Sequence, residues 1–368
     1  MNAYLILEDG TVFTGKSIGS KKEVISEIVF NTSMTGYLEV LTDPSYAGQA
    51  VVMTYPLIGN YGICNQDKES KKSNTDAFIV RELARLGSNF RKEESIQQFL
   101  VEQDIPGIEG IDTRALTKRL RENGTMNGMI TTEKPEDLSA VLEKIKKYSV
   151  RGVVDKVTTK EIVSYKPGDL DTDSNISITK KVAILNVGTK FNNERGCEVT
   201  IYPAKTKAET ILASHPDGIM LTNGPGDPKE CTEVIEELKK LYASDIPIFA
   251  ICLGHQLMAL ACGCDTEKMK YGHRGANQPV TDFALERTFI TSQNHGYAVL
   301  GDTLPAGTGR VSHVNANDKT CEGIEYLQWN CFTVQFHPEA NGGPKDTEFL
   351  FDRFLQNVRR INRVKGGR

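Results

Sequence analysis

Residues 246–263 run Ile-Pro-Ile-Phe-Ala-Ile-Cys-Leu-Gly-His-Gln-Leu-Met-Ala-Leu-Ala-Cys-Gly. The apolar run at 247–251 is typical of a buried β-strand, and residues 256–261 are typical of a buried helix. Cys252 stands at the junction between them, where a sharp strand-to-helix turn exposes one side chain. The dipole and free N–H groups of the following helix favour a thiolate at such a position. The stretch therefore predicts a nucleophile elbow that carries Cys252.

Two other interpretations of this stretch are weaker. A free cysteine is usually a small buried hydrophobic residue, and we apply that interpretation to the other seven cysteines. A membrane span is excluded by Pro247, His255 and Gln256, which interrupt the apolar run. The elbow interpretation of Cys252 is preferred because of the polar clusters that follow later in the chain.

Composition restricts the class of protein. The chain has 368 residues and a formal net charge of −4, which favours neither nucleic acid nor an anionic membrane as a partner. The first ten residues lack the basic and apolar regions of a secretory signal. Eight scattered cysteines do not form a disulfide framework, so we expect a reducing, cytoplasmic location. Cys262 and Cys264 form one close pair without a second pair at zinc spacing, so no metal site is predicted.

The hydrophobic pattern divides the chain into two predicted domains. Residues 1–150 are predicted to form a mixed α+β domain, and residues 151–180 are polar enough to be a linker. From residue 181, compact apolar runs alternate with helical segments, which predicts an α/β domain over 181–368 with an open, doubly wound, mostly parallel sheet. Predicted strands lie at 4–7, 11–13, 27–31, 51–54, 77–80, 125–131, 182–185, 199–202, 218–221, 247–251, 280–283, 288–291, 323–326 and 332–336. Predicted helices begin near 96, 112, 135, 208, 232, 256 and 347.

Glycines follow the predicted strand at 218–221, in the sequence Asn223-Gly-Pro-Gly-Asp-Pro. Gly224 and Gly226 allow backbone N–H groups to approach a ligand closely. Together with the N–H group of Leu253, these groups could stabilise the oxyanion of an acyl-transfer intermediate. An ordinary strand-to-helix turn explains the same glycines, and both interpretations stay open on this motif alone.

Two further polar clusters are predicted at strand ends, where an open α/β sheet places its site. Residues 292–297, Ser-Gln-Asn-His-Gly-Tyr, are predicted as a loop that binds an amide or amino-acid substrate, with His295 shaping the loop. In Gln335-Phe-His-Pro-Glu, His337 ends a strand and Glu339 follows two residues later. A base oriented by a carboxylate is what a cysteine nucleophile needs, so a Cys–His–Glu triad is predicted.

A fourth polar cluster surrounds His273 in Tyr271-Gly-His-Arg-Gly. Arg274 cannot act as a base, because a guanidinium keeps its proton. We assign this cluster a structural or substrate-steering role.

Three motifs together resemble the triad-type, class I glutamine amidotransferases: Cys252-Leu-Gly-His-Gln, Asn223-Gly-Pro-Gly-Asp-Pro and His337-Pro-Glu. The resemblance implies hydrolysis of L-glutamine to glutamate and ammonia, with Cys252 as nucleophile, His337 as general base and acid, and Glu339 as its orienter. It also implies a set of glutamine contacts: Gly224, Gly226, Leu253, Gln256, Asn294, Gly296 and Tyr297.

The first domain resembles the small subunits of carbamoyl phosphate synthetases. The motifs are Asn31-Thr-Ser-Met-Thr-Gly-Tyr, Asp43-Pro-Ser-Tyr-Ala-Gly-Gln, Tyr55-Pro-Leu-Ile-Gly-Asn-Tyr-Gly, Gly110-Ile-Asp-Thr-Arg-Ala-Leu-Thr and Lys270-Tyr-Gly-His-Arg-Gly-Ala-Asn. The resemblance implies that Ser45 reaches the glutamine site and that a large subunit receives the ammonia. ATP and magnesium are expected in that large subunit, with no cofactor in this one. Carbamoyl phosphate would then supply arginine and pyrimidine synthesis.

The chain departs from this family pattern at a few positions. Ala250 stands where the family has glycine, and its methyl group is expected either to distort the elbow or to be absorbed. Tyr297 replaces a common phenylalanine. Asn186 replaces an aspartate, and the helix after it is nearly deleted, which is expected to leave apolar sheet surface exposed.

Two alternatives to a glutaminase subunit were weighed. A non-catalytic structural or regulatory subunit of the same complex would fit the departures but not the intact triad residues. An amidotransferase for anthranilate or guanylate synthesis would not require the motifs of the first domain.

Overall fold

The computed structural model describes residues 1–166, 180–190, 197–327, 331–340 and 342–365, with the backbone alone over 361–365. The chain forms two compact units. The first comprises Met1–Val153 and Met269–Ala276, and the second comprises Val154–Lys268 and Asn277–Arg368. The described helices include none that is long and apolar enough to cross a membrane.

The first unit, whose residues are all described, contains a closed barrel of seven strands in the order β1-β2-β8-β6-β4-β3-β9. The pairs β3–β4, β4–β6 and β6–β8 are parallel, and the others are antiparallel. Its interior is apolar because alternate residues of each strand point inward. The strands of this unit are β1 (Asn2–Leu7), β2 (Val12–Ser17), β3 (Val24–Asn31), β4 (Gln49–Met53), β5 (Leu57–Ile58), β6 (Ala77–Ile79), β7 (Glu82–Leu83), β8 (Gly107–Glu109) and β9 (Met126–Thr131).

Three of the four α-helices of the first unit follow a residue whose side chain accepts a hydrogen bond from a backbone N–H group of the first turn. The Asp112 side chain accepts a hydrogen bond from the backbone N–H of Ala115 at 3.0 Å, which is the usual N-cap arrangement. Leu116 and Leu120 lie one turn apart and are buried in the same apolar cluster as Ile108. The helices are α1 (Tyr37–Thr42), α2 (Ile96–Glu102), α3 (Thr113–Asn123) and α4 (Leu138–Lys147).

The second unit is built on one open sheet, with ten strands among its described residues in the order β10-β12-β11-β13-β14-β19-β18-β16-β15-β17. The five strands from β12 to β19 in this order are parallel. The pairs β10–β12, β19–β18, β18–β16 and β15–β17 are antiparallel. The strands are β10 (Val163–Tyr165), β11 (Lys181–Asn186), β12 (Glu198–Pro203), β13 (Gly218–Leu221), β14 (Ile248–Ile251), β15 (Asp265–Asp282), β16 (Arg287–Leu300), β17 (Gly309–Asn315), β18 (Cys321–Tyr326) and β19 (Phe332–Val334).

Helices cover both faces of the parallel strands. One face packs in an apolar cluster with α6, α7 and α8, and the other packs against α9 through Leu350, Phe351, Phe354 and Val358. Helix α9 approaches the sheet so closely at Gly218 that a Cβ atom there would lie 2.7 Å from Cγ2 of Val358. The helices of this unit are α5 (Val153–Val157), α6 (Ala208–Ala213), α7 (Thr232–Tyr242), α8 (Leu253–Ala261) and α9 (Phe349–Lys365), although Val153 is counted with the first unit.

The α/β architecture and the open sheet are confirmed, and β13, α6 and α7 have the predicted bounds. The loop predicted at 292–297 is wrong, because these residues continue strand β16 to Leu300. A run of polar residues is typical of a loop, but a strand can also carry polar side chains where it lines a polar site. The segment predicted as a linker contains α5 and β10, and its residues 167–179 lie outside the described part.

Helix α9 covers the sheet face formed by alternate residues of β11 and β12, next to the shortened connection after Asn186. Residues 191–196 of that connection lie outside the described residues. Val182, Ile184, Val199 and Ile201 of strands β11 and β12 are nevertheless buried, in one cluster with the side chains of α9. The exposed apolar surface that we expected is therefore not found at these four residues.

Phe354→Ala tests whether α9 stabilises this face of the sheet. The ring is 3% exposed and lies 5.9 Å from the ring of Phe249, so its removal leaves a cavity in the cluster. We expect the free energy of unfolding to fall by about 3–5 kcal/mol in urea denaturation followed by circular dichroism. Phe90→Ala, at a ring that is 97% exposed, should change it by less than about 0.5 kcal/mol. Equal losses in the two variants would contradict the packing role of α9.

Candidate active site

Cys252 occupies a strained turn between β14 and α8. Its φ of +53° and ψ of −108° are rare for a residue with a side chain. The turn is fixed from both sides, because the Cys252 N–H donates to the carbonyl oxygen of Val334 at 2.8 Å and the Gly254 N–H donates to that of Thr222 at 3.1 Å. A Cβ atom on Gly254 would lie 2.8 Å from the Leu221 carbonyl oxygen, so this position requires glycine. The predicted elbow geometry is therefore present.

The methyl group of Ala250 is absorbed without distortion. Ala250 lies in the regular part of β14, in parallel register with Leu221 on one side and Thr333 on the other. It is fully buried in the apolar cluster that includes Leu257. Because the strain is located at residue 252 itself, the substitution two residues earlier leaves the turn intact.

His337 and Glu339 form a buried pair beyond the end of β19. The Nδ1 atom of His337 lies 2.6 Å from Oε1 of Glu339, and the side chains are 2% and 0% exposed. The backbone N–H of His337 donates to the carbonyl oxygen of Ser292 at 2.9 Å, which ties this segment to β16. The other ring nitrogen, Nε2, has no hydrogen-bond partner within ordinary distance among the described residues. A histidine held in this way is oriented by one nitrogen and available for proton transfer at the other.

Opposing charges set the protonation of this pair. Burial lowers the pKa of His337, and Lys190 lowers it further, but Glu339 and the Cys252 thiol outweigh both and raise it above its usual value near 6.5. Burial raises the pKa of Glu339, but His337 and Lys190 lower it below the usual value. The surroundings of the pair therefore favour an imidazolium next to a carboxylate, since each charge stabilises the other.

Lys190 is a site residue that sequence analysis missed. It is 5% exposed, and its Nζ lies 3.8 Å from Oε1 of Glu339. The turn before it is held by Asn186, whose Oδ1 accepts hydrogen bonds from the N–H groups of Gly188 and Thr189, both at 2.9 Å. An asparagine oxygen serves this purpose as well as the aspartate of the family pattern. A lysine just after a parallel strand, at the edge where the other polar motifs lie, was the available signal.

The glycine-rich turn after β13 lies against the elbow. A Cβ atom on Gly224 would lie 2.2 Å from the carbonyl oxygen of Val187 and 2.9 Å from Cδ2 of Leu253, so only glycine fits. Gly226 has a φ of +94°, which also favours glycine. The N–H of Leu253 belongs to the first turn of α8, where backbone N–H groups lack a partner inside the helix. These positions suit an oxyanion-binding role, which stays a prediction.

Strand β16 brings the predicted glutamine contacts to the elbow. The Sγ atom of Cys252 lies 3.6 Å from the carbonyl oxygen of Asn294. The side-chain nitrogen of Gln256 donates to the Tyr297 carbonyl oxygen and to Oε1 of Gln335, both at 2.8 Å. Gly296 lies between Asn294 and Tyr297 in the strand. The structure thus places Leu253, Gln256 and residues 294–297 together, and their contact with a substrate stays a prediction.

His295 has both ring nitrogens engaged within β16. Nδ1 lies 2.8 Å from the carbonyl oxygen of Tyr297, and Nε2 lies 3.1 Å from Oε1 of Gln293. These contacts hold the ring along the strand on both sides. The arrangement suits a residue that shapes the strand beside the elbow.

Ser45, His273 and Arg274 belong to the first unit. Ser45 is buried in a short helical turn, with its N–H bonded to Oδ1 of Asp43 at 2.8 Å. Arg274 donates from Nη1 to the carbonyl oxygen of Tyr271 at 2.7 Å, and its own carbonyl oxygen accepts from the N–H of Thr32. These bonds support a structural role for Arg274. The role of Ser45 in glutamine binding stays a prediction.

Two family models match the chain. Residues 5–130 match the carbamoyl-phosphate synthase small chain, CPSase domain, and residues 185–357 match the class I glutamine amidotransferases. The second match contains the elbow, the glycine-rich turn and the His337–Glu339 pair.

Curated relatives match over nearly their whole length. The chain is 48% identical over 361 residues to the carbamoyl phosphate synthase small chain of Listeria monocytogenes, covering 96% of this chain and 95% of the relative. It is 49% identical over 361 residues to that of Clostridium perfringens, covering 97% and 99%. A solved structure of a putative GMP synthase protein from Thermoplasma acidophilum matches 51% of this chain and 98% of its own, with 19% identity and a TM-score of 0.45.

Glu339→Gln should change how stability depends on pH. Because folding raises the pKa of His337, its protonation stabilises the fold fully below about pH 6.5, and this contribution is lost as pH rises through the raised value. We expect the free energy of unfolding of the wild-type chain to fall above that pH by up to about 1.4 kcal/mol per pH unit. Removing the carboxylate lowers the pKa of His337, so the variant should lose less.

Urea denaturation between about pH 6.5 and pH 9 measures this difference. Glu143→Gln, at an exposed carboxylate on α4, should follow the wild type. A Glu339→Gln variant whose stability falls as steeply as that of the wild type would contradict the assigned coupling.

Proposed function

Since this chain belongs to the carbamoyl phosphate synthase small chains, the amidotransferase subunits of the glutamine-hydrolysing enzyme, we propose that it hydrolyses L-glutamine with Cys252, His337 and Glu339. The proposal includes transfer of the ammonia to a large synthetase subunit, which uses it to make carbamoyl phosphate. No cofactor is assigned to this chain, and ATP and magnesium are assigned to the large subunit.

The buried His337–Glu339 pair is the observation that carries the proposal. Its 2.6 Å contact fixes the imidazole by Nδ1 and leaves Nε2 without a hydrogen-bond partner among the described residues. The Cys252 thiol is close enough to raise the pKa of this histidine. A non-catalytic scaffold would have no need for a strained cysteine next to a buried charged pair, because both cost stability.

In the proposed mechanism, Cys252 reacts as a thiolate, with its proton held by His337, and the sulfur attacks the side-chain amide carbon of glutamine. A covalent C–S bond forms, and the carbonyl oxygen becomes an oxyanion. The N–H group of Leu253 and those of the glycine-rich turn would stabilise this charge. His337 then gives its proton to the amide nitrogen and the C–N bond breaks. Ammonia leaves, and a glutamyl thioester remains on Cys252.

Water completes the cycle in the second half of the mechanism. His337, now neutral, accepts a proton from water as the oxygen attacks the thioester carbon. The C–S bond breaks, glutamate leaves, and the sulfur of Cys252 is regenerated with the proton on His337. Glu339 keeps the imidazole in one orientation through both steps and stabilises its positive charge. Lys190 limits how far the pKa of His337 rises, so that the imidazolium can still act as an acid.

Cys252→Ala tests the nucleophile. We expect glutamine-dependent ammonia release to fall by more than about 10³-fold, with or without the large subunit, because no other group can form the thioester. Ammonia release is measured by a coupled dehydrogenase assay. Cys262→Ala, at the other end of the same helix, is the matched control and should keep activity within about twofold of the wild type, because surface or helix-end substitutions rarely disturb a remote site.

The same assay separates the proposal from the scaffold alternative. If the wild type releases no more ammonia than Cys252→Ala, while the complex with the large subunit makes carbamoyl phosphate from added ammonium, the chain is a non-catalytic subunit. If the complex with Cys252→Ala makes carbamoyl phosphate from ammonium but not from glutamine, the proposed division of labour holds.

A further inference from the structure

The first unit contains a cavity of about 980 Å³ that the proposed glutamine chemistry does not use. Four cationic side chains line it: Arg81, Arg114, Lys118 and Arg121. Three motifs of the first unit contribute to its lining, through Pro56, through residues 112–114 and 117, and through Tyr271. We call this surface the α3 cavity.

The outward face of helix α3 forms one wall of the α3 cavity. Arg114, Thr117, Lys118 and Arg121 are spaced by three, one and three residues, which places them on one side of the helix. Leu116 and Leu120 are buried on the other side, in the barrel core. The barrel therefore fixes the direction in which the cations point, because α3 cannot rotate without exposing two leucines.

The charge on this wall is largely uncompensated within the chain. Lys118 lies 3.8 Å from Glu122, an exposed pair on the same helix. Arg81, Arg114 and Arg121 make no ion pair with any residue that the structure describes. Arg81 is held next to the helix because its carbonyl oxygen accepts from the N–H of Gly110 at 2.8 Å. Three arginines thus share one cavity without an internal carboxylate partner.

Apolar side chains continue the same surface. Pro56 and Tyr271 line the cavity, and the neighbours of Pro56 in the chain, Tyr55 and Leu57, are 38% and 39% exposed. Arginine next to tyrosine is typical of protein–protein hot spots. A site for one small anion would instead bury its cations, whereas these arginines are exposed. Asp112 and Glu122 also line the cavity, but Asp112 caps α3 through the N–H of Ala115 and Glu122 lies 3.8 Å from Lys118, so the three arginines remain the charges open to a partner.

We propose that the α3 cavity docks an acidic segment of the large synthetase subunit, whose carboxylates pair with Arg81, Arg114 and Arg121 while its apolar side chains cover Tyr55 and Leu57. This inference rests on the proposed function, since that function supplies the partner. Carboxylates match the forked guanidinium geometry of arginine, so the contact fixes orientation as well as proximity.

The test is a double charge reversal on the outward face of α3, Arg114→Glu with Arg121→Glu. Affinity for the purified large subunit is measured by isothermal titration calorimetry with the full chain. We expect the dissociation constant to rise by at least about tenfold. The wild-type affinity should also weaken as sodium chloride increases from about 0.05 to about 0.5 M, and the variant should show a smaller dependence.

Lys144→Glu with Lys146→Glu is the matched control, with the same change of charge on exposed residues of α4 in the same unit. It should bind like the wild type. The neutral pair Arg114→Gln with Arg121→Gln is measured as well and should give an intermediate loss, which guards against misfolding in the reversed variant. Glutaminase activity of each isolated chain should stay within about twofold of the wild type, because α3 carries no glutamine contact.

Unchanged affinity in both α3 variants, with unchanged salt dependence, would overturn the docking inference. So would an inorganic phosphate site in this cavity whose loss leaves binding to the large subunit intact. Failure of the wild type to release ammonia from glutamine would instead overturn the proposed function. The two results are distinguishable because one is read from affinity and the other from turnover.

Discussion

The predicted active site depends on the burial of three ionisable side chains at one edge of a sheet. His337, Glu339 and Lys190 are each at most 5% exposed, and the removal of such groups from water costs several kcal/mol per ion. The cost is offset only because Oε1 of Glu339 lies 2.6 Å from one cation and 3.8 Å from the other. A buried group of this kind is a weak source of stability, so its presence is explained better by chemistry than by folding.

The geometry of that group comes from the parallel strands. Residue 252 follows β14, residue 337 follows β19, and residue 190 follows β11, so the connections of three strands meet at one edge. The strained backbone of Cys252 persists because hydrogen bonds from both flanking strands over-determine it. Sheet register therefore has a direct chemical consequence: a slip in β19 would move His337 away from the turn that carries the cysteine.

The sequence was informative where a local rule decides the structure. Strand β13 and helix α7 were predicted with the bounds that they have, because a compact apolar run and a helical period are properties of one segment. Closure of the barrel was not predictable, since β3 and β8 both depend on partners that are distant in the chain. Residues 292–297 were assigned to a loop because their polarity has no strand signature. Lys190 was missed because its position after a parallel strand was the only signal, and its 3.8 Å contact with Glu339 depends on a residue distant in the chain.

The charged side chains are buried and paired at the predicted active site of the second unit, but exposed on α3 in the first unit. Their solvent access determines how far their electric field extends. In the second unit, His337 and Glu339 are buried and neutralise each other, so their effect is local: each shifts the pKa of the other. In the first unit, Arg114 and Arg121 are exposed and unpaired within the described chain, so their field extends to about the Debye length, roughly 8–10 Å. A field of that range acts on another molecule more than on the fold. Since Leu116 and Leu120 hold α3 in place, its exposed arginines are available for the docking that we propose.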